Sequence, residues 1–118
     1  MKGDDIAIYQ GTLPLSEPVT TVTGGSTSVT YASDGRYQLS SGEAAIASIT
    51  GGSHGAVITL VGCGGTSPTV AATTGILLKD GATWTGSEGS LLTLKAFSKA
   101  ASGNDRLVWI EQSRYVPA

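Results

Sequence analysis

His54 is the chain's single histidine. It stands in "ITGGSHG", a glycine corner between two apolar runs, with Ser53 directly before it. A Ser–His pair does nucleophilic chemistry when a carboxylate orients the imidazole and a sharp turn presents the hydroxyl. No "GxSxG" elbow and no second histidine accompany this pair, so His54 reads as a solvated corner residue. One imidazole is also too few ligands for a metal within one chain. An ion would need three copies of His54 gathered around a threefold axis.

Cys63, in "VGCGG", is the single cysteine, which excludes an intrachain disulfide or thiolate cluster and fits a reducing compartment. No cationic residue adjoins it to favour the thiolate, so it reads as a small buried hydrophobe. Asp4, Asp5, Glu17, Glu43, Glu88 and Glu111 are too scattered to announce a carboxylate pair for glycoside hydrolysis. The "GCGGTSP" stretch lacks the Lys-Ser/Thr ending and following helix of a phosphate loop. Trp109 lies in an apolar run and belongs to a core. Trp84, flanked by threonines near a glycine, is the aromatic better suited to face a sugar ring. The expectation is therefore a protein that is not an enzyme, with no catalytic, cofactor or metal residues.

The elements behind these residues are strands. At 118 residues the chain is one domain's worth of protein, able to hide roughly 65% of its unfolded surface. Apolar residues make up 40% and charged residues 14%, with seventeen glycines and a net charge of −2. This balance argues against disorder and gives no electrostatic footprint for nucleic acid or an anionic membrane. No apolar run approaches the roughly 20 residues of a membrane span, and "MKGDDIAIYQG" lacks the apolar core of a secretion signal.

Helical periodicity is nearly absent. "SSGEAAIASI" has a candidate cap at Ser41 and three alanines, but Gly51-Gly52 cut it to a helical turn at most. "TTVTGGSTSVTY" carries β-branched residues on both sides of Gly24-Gly25 and predicts a hairpin. "RYQL", "AVITLV", "TVAAT", "GILL", "ATWT", "LLTLKAF" and "RLVWIEQS" follow as short strands between glycine corners. Alternation puts Ala56, Ile58 and Leu60 on one face, and Leu92, Leu94 and Ala96 likewise. "RLVWIEQS" is apolar on both faces, through Leu107 with Trp109 and Val108 with Ile110. With no helix to cover such strands, a second sheet or another chain must do so. Closed rotational symmetry would also consume the open edges.

The expected class is all-β, short glycine-cornered strands in a sandwich- or prism-like module intertwined as a homotrimer. Residues 1–44 read as an extended N-terminal attachment segment and 45–118 as the C-terminal trimeric β-module. Core and trimer interface are assigned to Ile46, Ile49, Val57, Ile58, Leu60, Ile76, Leu78, Leu92, Leu94, Val108, Trp109 and Ile110.

The span 46–115 resembles a module of bacteriophage virion proteins, often found at the C-terminus of tail fibres and tailspikes. An apolar strand, Gly51-Gly52-x-x-Gly55, an "ITL" strand, a "GILL" segment, an "LTL" strand and a closing Trp strand ending in "E-x-S-R" appear in order. The resemblance covers about three-fifths of the chain. It implies three chains around a common axis and a structural task in the virion, assembled in the cytoplasm of a host bacterium. The "FSKAASGNDR" stretch is longer than the module's usual tight turn, and the segment before the module is short for a fibre shaft. Capsid decoration is thus preferred over a tail-fibre or tailspike tip binding a host glycan through Trp84 or Tyr115. The expected partners are sister copies and other virion proteins.

Overall fold

The computed structural model describes residues 19–101 and 104–117, with side chains outside 99–106. Among them are eleven strands, no α-helix and one 3-10 turn, Lys79–Gly81, so the all-β expectation holds. No described helix is long and apolar enough to cross a membrane. In chain order the strands are β1 (Val19–Thr21), β2 (Ser28–Thr30), β3 (Gly35–Gln38), β4 (Ala45–Ile46), β5 (Ser48–Thr50), β6 (Val57–Val61), β7 (Thr69–Val70), β8 (Ile76–Leu77), β9 (Trp84–Thr85), β10 (Leu91–Ala101) and β11 (Asn104–Tyr115).

Six of them form one sheet in the order β1-β3-β6-β10-β11-β8. β1, β3 and β6 run parallel, β10 is antiparallel to both β6 and β11, and β8 joins β11 in parallel. The five remaining strands make two small sheets, β2-β5 and β4-β7-β9. These supply the covering layer. Val29 on β2, Ile46 on β4, Val70 on β7 and Trp84 on β9 share one buried cluster with Ile58, Leu60, Ile76, Leu92, Leu94 and Trp109 of the large sheet. Alternation within β6 and β10 is therefore as expected. Ala56, Ile58, Leu60, Leu92, Leu94 and Ala96 are all buried on the same side.

The arrangement within one chain differs from the expected picture at several points. Nine of the twelve residues assigned to core and trimer interface are enclosed within one chain, and Ile49, Val57 and Ile110 are half-buried. The main core thus closes without a sister copy, because the two small sheets cover the large one. The boundary at residue 44 does not divide that core either. β3 pairs along β6, and Val22, Val29, Tyr37 and Leu39 are buried in the same cluster. Residues 1–18 of the expected attachment segment lie outside the described residues.

The hairpin around Gly24-Gly25 is also absent: β1 goes to the large sheet and β2 to a small one. A Cβ on Gly24 would stand 2.3 Å from the Ser41 carbonyl oxygen, and Gly25 has φ +82°. The glycine pair lets two chain segments cross where the chain changes layer. The helical turn expected near Ser41 is likewise replaced by β4 and β5. There the Ala44 carbonyl accepts from the Thr69 N–H at 3.0 Å and the Ala47 N–H donates to Thr27 at 2.8 Å. Ladder partners and the burial of Ile46 outweigh alanine's helix preference. "FSKAASGNDR" is strand too, since β10 and β11 stay paired from Leu91↔Tyr115 out to Ala101↔Asn104.

Candidate functional site

The residues with chemical potential turn out to be structural. His54 is exposed, and its Nδ1 accepts the Ser98 N–H at 3.0 Å while its ring meets Phe97 edge-on at 5.8 Å. β6 ends its pairing with β10 at Val57↔Lys95, and Ala56 and Gly55 then bond Ala96. The imidazole supplies the next acceptor along that edge, so His54 acts as a peg for β10. Cys63 is half-buried, packs on the core and bridges to Ser87. Glu43 and Glu88 are exposed on separate loops. Asp4, Asp5 and Glu17 lie outside the described residues. Among those described, no group of three or more His, Cys, Asp or Glu is placed to hold a metal.

The "GCGGTSP" loop is spent on a corner. Its Thr66 N–H donates to Ser41 Oγ at 3.0 Å, and the Thr66 carbonyl accepts the Gly42 N–H. Trp84, the aromatic better suited to a sugar yet more readily packed, is fully buried. It points inward because β9 pairs with β7 at Val70↔Trp84, which sets both side chains on the core side. Neither the Trp84 nor the Trp109 indole N–H has a partner among the described residues. Tyr115 is 59% exposed, as its expected role requires.

What remains open is the far face of the large sheet. Register places Val57, Thr59 and Val61 of β6 beside Lys95, Thr93 and Leu91 of β10. Phe97 follows on β10, and Val108, Ile110, Ser113 and Tyr115 of β11 continue the row toward Leu77 of β8. Val108 is enclosed there, whereas Leu91 is 41% and Leu77 39% exposed. The Thr59 and Thr93 hydroxyls bond each other at 3.1 Å, and Lys95 Nζ sits 5.7 Å from the Phe97 ring centre. The face mixes these apolar side chains with two threonines, a lysine and a serine, and is covered by no strand among the described residues. Such a two-sided apolar sheet is the arrangement expected for "RLVWIEQS".

At one border of this face lies a cleft of about 500 Å³, lined by Leu77, Leu78, Lys79 and Ile110–Arg114. β8 pairs with β11 only at Trp109 and Ile110 and then departs in the 3-10 turn, leaving the next stretch of β11 without a strand beside it. Two side chains span the gap. Glu111 Oε1 accepts the Lys79 N–H at 2.9 Å, and Arg114 Nη2 donates to the Ala82 carbonyl at 2.8 Å. Arg114 also grips Glu111 as a fork, Nε to Oε2 and Nη2 to Oε1, both at 2.8 Å.

Residues three apart on a regular strand point to opposite faces. The fork exists because of a β-bulge. Leu94 pairs with Glu111 but Thr93 with Ser113, so Gln112 is an extra residue and Arg114 returns to the face of Glu111. The "E-x-S-R" ending marked these residues in the sequence, but no local signal marked the bulge that joins them.

The Arg114 guanidinium holds the Glu111 carboxyl below its ordinary 4.5, with help from the Lys79 N–H and against a smaller opposing effect of burial. At the other end of the sheet the Tyr31 hydroxyl donates to Asp34 Oδ1 at 2.6 Å, which lowers Asp34 and raises Tyr31. A carboxyl depressed on folding contributes stability that is full above its unfolded value and lost as pH falls through the folded one. The Glu111–Arg114 side chains are 4% and 21% exposed. Their contribution is about 1 kcal/mol after allowing for solvent at the cleft mouth. Between pH 7 and pH 3 the wild type is expected to lose about that much more stability than Glu111→Gln, measured by urea unfolding at both pH values. Parallel losses would show that the fork contributes nothing.

Comparison with family models, with curated proteins and with solved structures found no match to this chain.

Proposed function

We propose that this protein is a non-enzymatic structural component of a bacteriophage particle. It acts as a homotrimer on the exterior, decorating the capsid and contacting other virion proteins. The observation that carries the reading is the face built by β6, β10 and β11, which no other strand among the described residues covers. Leu91 and Tyr115 are exposed on that side and Val57, Val61, Phe97 and Ile110 half-buried, while the opposite side of the same strands is already sealed. Soluble proteins reserve continuous apolar surface of this kind for contacts. The order of "ITL", "GILL", "LTL" and "E-x-S-R" elements supports the phage assignment, and the small net charge lets copies approach without strong repulsion.

The occupant of the face is a sister copy. The patch formed by β6, β10, β11 and β8 spans about four strand spacings and five residues, on the order of 350 Å². A stable interface needs about 800 Å² per partner. The patch is therefore the apolar centre of a contact whose remaining area lies outside it. Glycan binding at a fibre tip leaned on Trp84 and Tyr115, and with Trp84 enclosed it keeps one of its two aromatics.

Sedimentation of the wild type at micromolar concentration is expected to give a trimer. Leu91→Asp is expected to give a folded monomer, because Leu91 is exposed in a single chain but would place an unpaired carboxylate inside the contact. Dissociation at least tenfold easier than wild type, with unchanged circular dichroism, is the expected shift. A wild-type monomer, or a Leu91→Asp trimer as tight as wild type, would refute this reading.

A further inference from the structure

Three copies around an axis cannot meet through one self-complementary patch. Each must offer two different surfaces, one fitting the other on its neighbour. β11 carries such a pair. Tyr115 projects from the outer face at 59% exposure, cross-strand from Leu91 and followed by Val116 at 58%. Earlier on the same strand, the cleft at the β8–β11 border is lined by Leu77 and Ile110 of that face and by the Glu111–Arg114 fork.

We infer that Tyr115 of one copy inserts into the β8–β11 cleft of the next, so that the threefold axis passes close to the C-terminal end of β11. This rests on the trimer reading above and specifies its contact. The cleft matches the side chain in polarity as well as room. Leu77 and Ile110 give the ring apolar walls, and the side-chain carbonyl of Gln112 offers an acceptor for the phenol O–H, which a buried tyrosine requires. The bulge at Gln112 is what turns Tyr115 outward after Ile110; without it the ring would point to the core side. The Ile110 wall of the cleft lies about 13 Å along the strand from Tyr115.

The test is a cysteine pair, Leu77→Cys with Tyr115→Cys, in a Cys63→Ala background. Within one chain the two positions are too far apart to bridge, since a disulfide needs Cα atoms about 4.4–6.8 Å apart. Mild oxidation of the assembled protein is expected to give covalent species ending at three chains on a denaturing, non-reducing gel. Single-cysteine variants should stop at two. If the double variant also stops at two chains, the contact is a reciprocal twofold one and the inference fails. No cross-linking in a protein that still sediments as a trimer would overturn the Tyr115 contact alone. A monomeric wild type would overturn the trimer reading and this inference with it.

Discussion

Leu94→Asp is expected to produce no folded protein. Leu94 is fully buried at the middle of β10, between Ile58 of β6 and Glu111 of β11. Removing its side chain alone costs about 2–5 kcal/mol, as large-to-small core changes do. The carboxylate adds a desolvation cost of several kcal/mol. It also faces a neighbouring strand position where Glu111 already engages the Arg114 guanidinium. The sum rivals the roughly 5–15 kcal/mol that holds a domain of ordinary stability together. Circular dichroism without strand signal and a chain found in the insoluble fraction are the expected results. Leu94→Ala provides the graded case, folded but destabilised. A soluble, folded Leu94→Asp monomer would mean that Leu94 lies at a contact between chains and not inside one.

Gly62→Ala is the second change with a large expected effect. A Cβ there would stand 1.9 Å from the Ser87 carbonyl oxygen and 2.8 Å from the carbonyl carbons of Gly86 and Ser87. All of these atoms are backbone, so no side chain can swing away. The contact is also tied from both sides: Gly62 donates to the Ser90 carbonyl at 2.9 Å and Cys63 to the Gly86 carbonyl at 3.0 Å. Making room means pulling the 86–90 turn off the end of β6, at about 3 kcal/mol or more. The melting temperature is expected to fall by about 10 °C. Gly75→Ala is the control, because nothing lies within 4 Å of its added methyl group and its φ is not in the left-handed region. It is expected to be neutral or stabilising by about 0.5 kcal/mol. Equal melting points for Gly62→Ala and wild type would show that the turn yields freely.

The strands were legible because alternation is local. "AVITLV" and "LLTLKAF" announce by themselves which residues share a face, and the buried set follows that pattern. What covers a face is not local. Val29, Ile46, Val70 and Trp84 reach the core from segments of two or three residues, too short to show any period. Their role was therefore assigned to sister chains. Gly24-Gly25 has the composition of a hairpin turn, but the residues it must clear, around Ser41, lie far along the chain. The bulge at Gln112 has no signature either, and it decides both the Glu111–Arg114 fork and the outward direction of Tyr115. His54 drew suspicion as a catalyst because a nitrogen acceptor serves an amide edge as readily as it serves a hydroxyl.

The parallel pairings carry a consequence for the birth of the molecule. β1 with β3, β3 with β6, β2 with β5, β4 with β7 and β8 with β11 all join strands that lie well apart along the chain. Closing such loops is slow, since ordering entropy is lost before any contact repays it. β10 and β11 are joined by two residues and can zip together quickly, yet they leave the ribosome after every other described strand. Translation therefore delivers a row of greasy ribbons that must wait, unpaired, for the hairpin that organises them, and an interrupted message yields a fragment with no route to the native sheet.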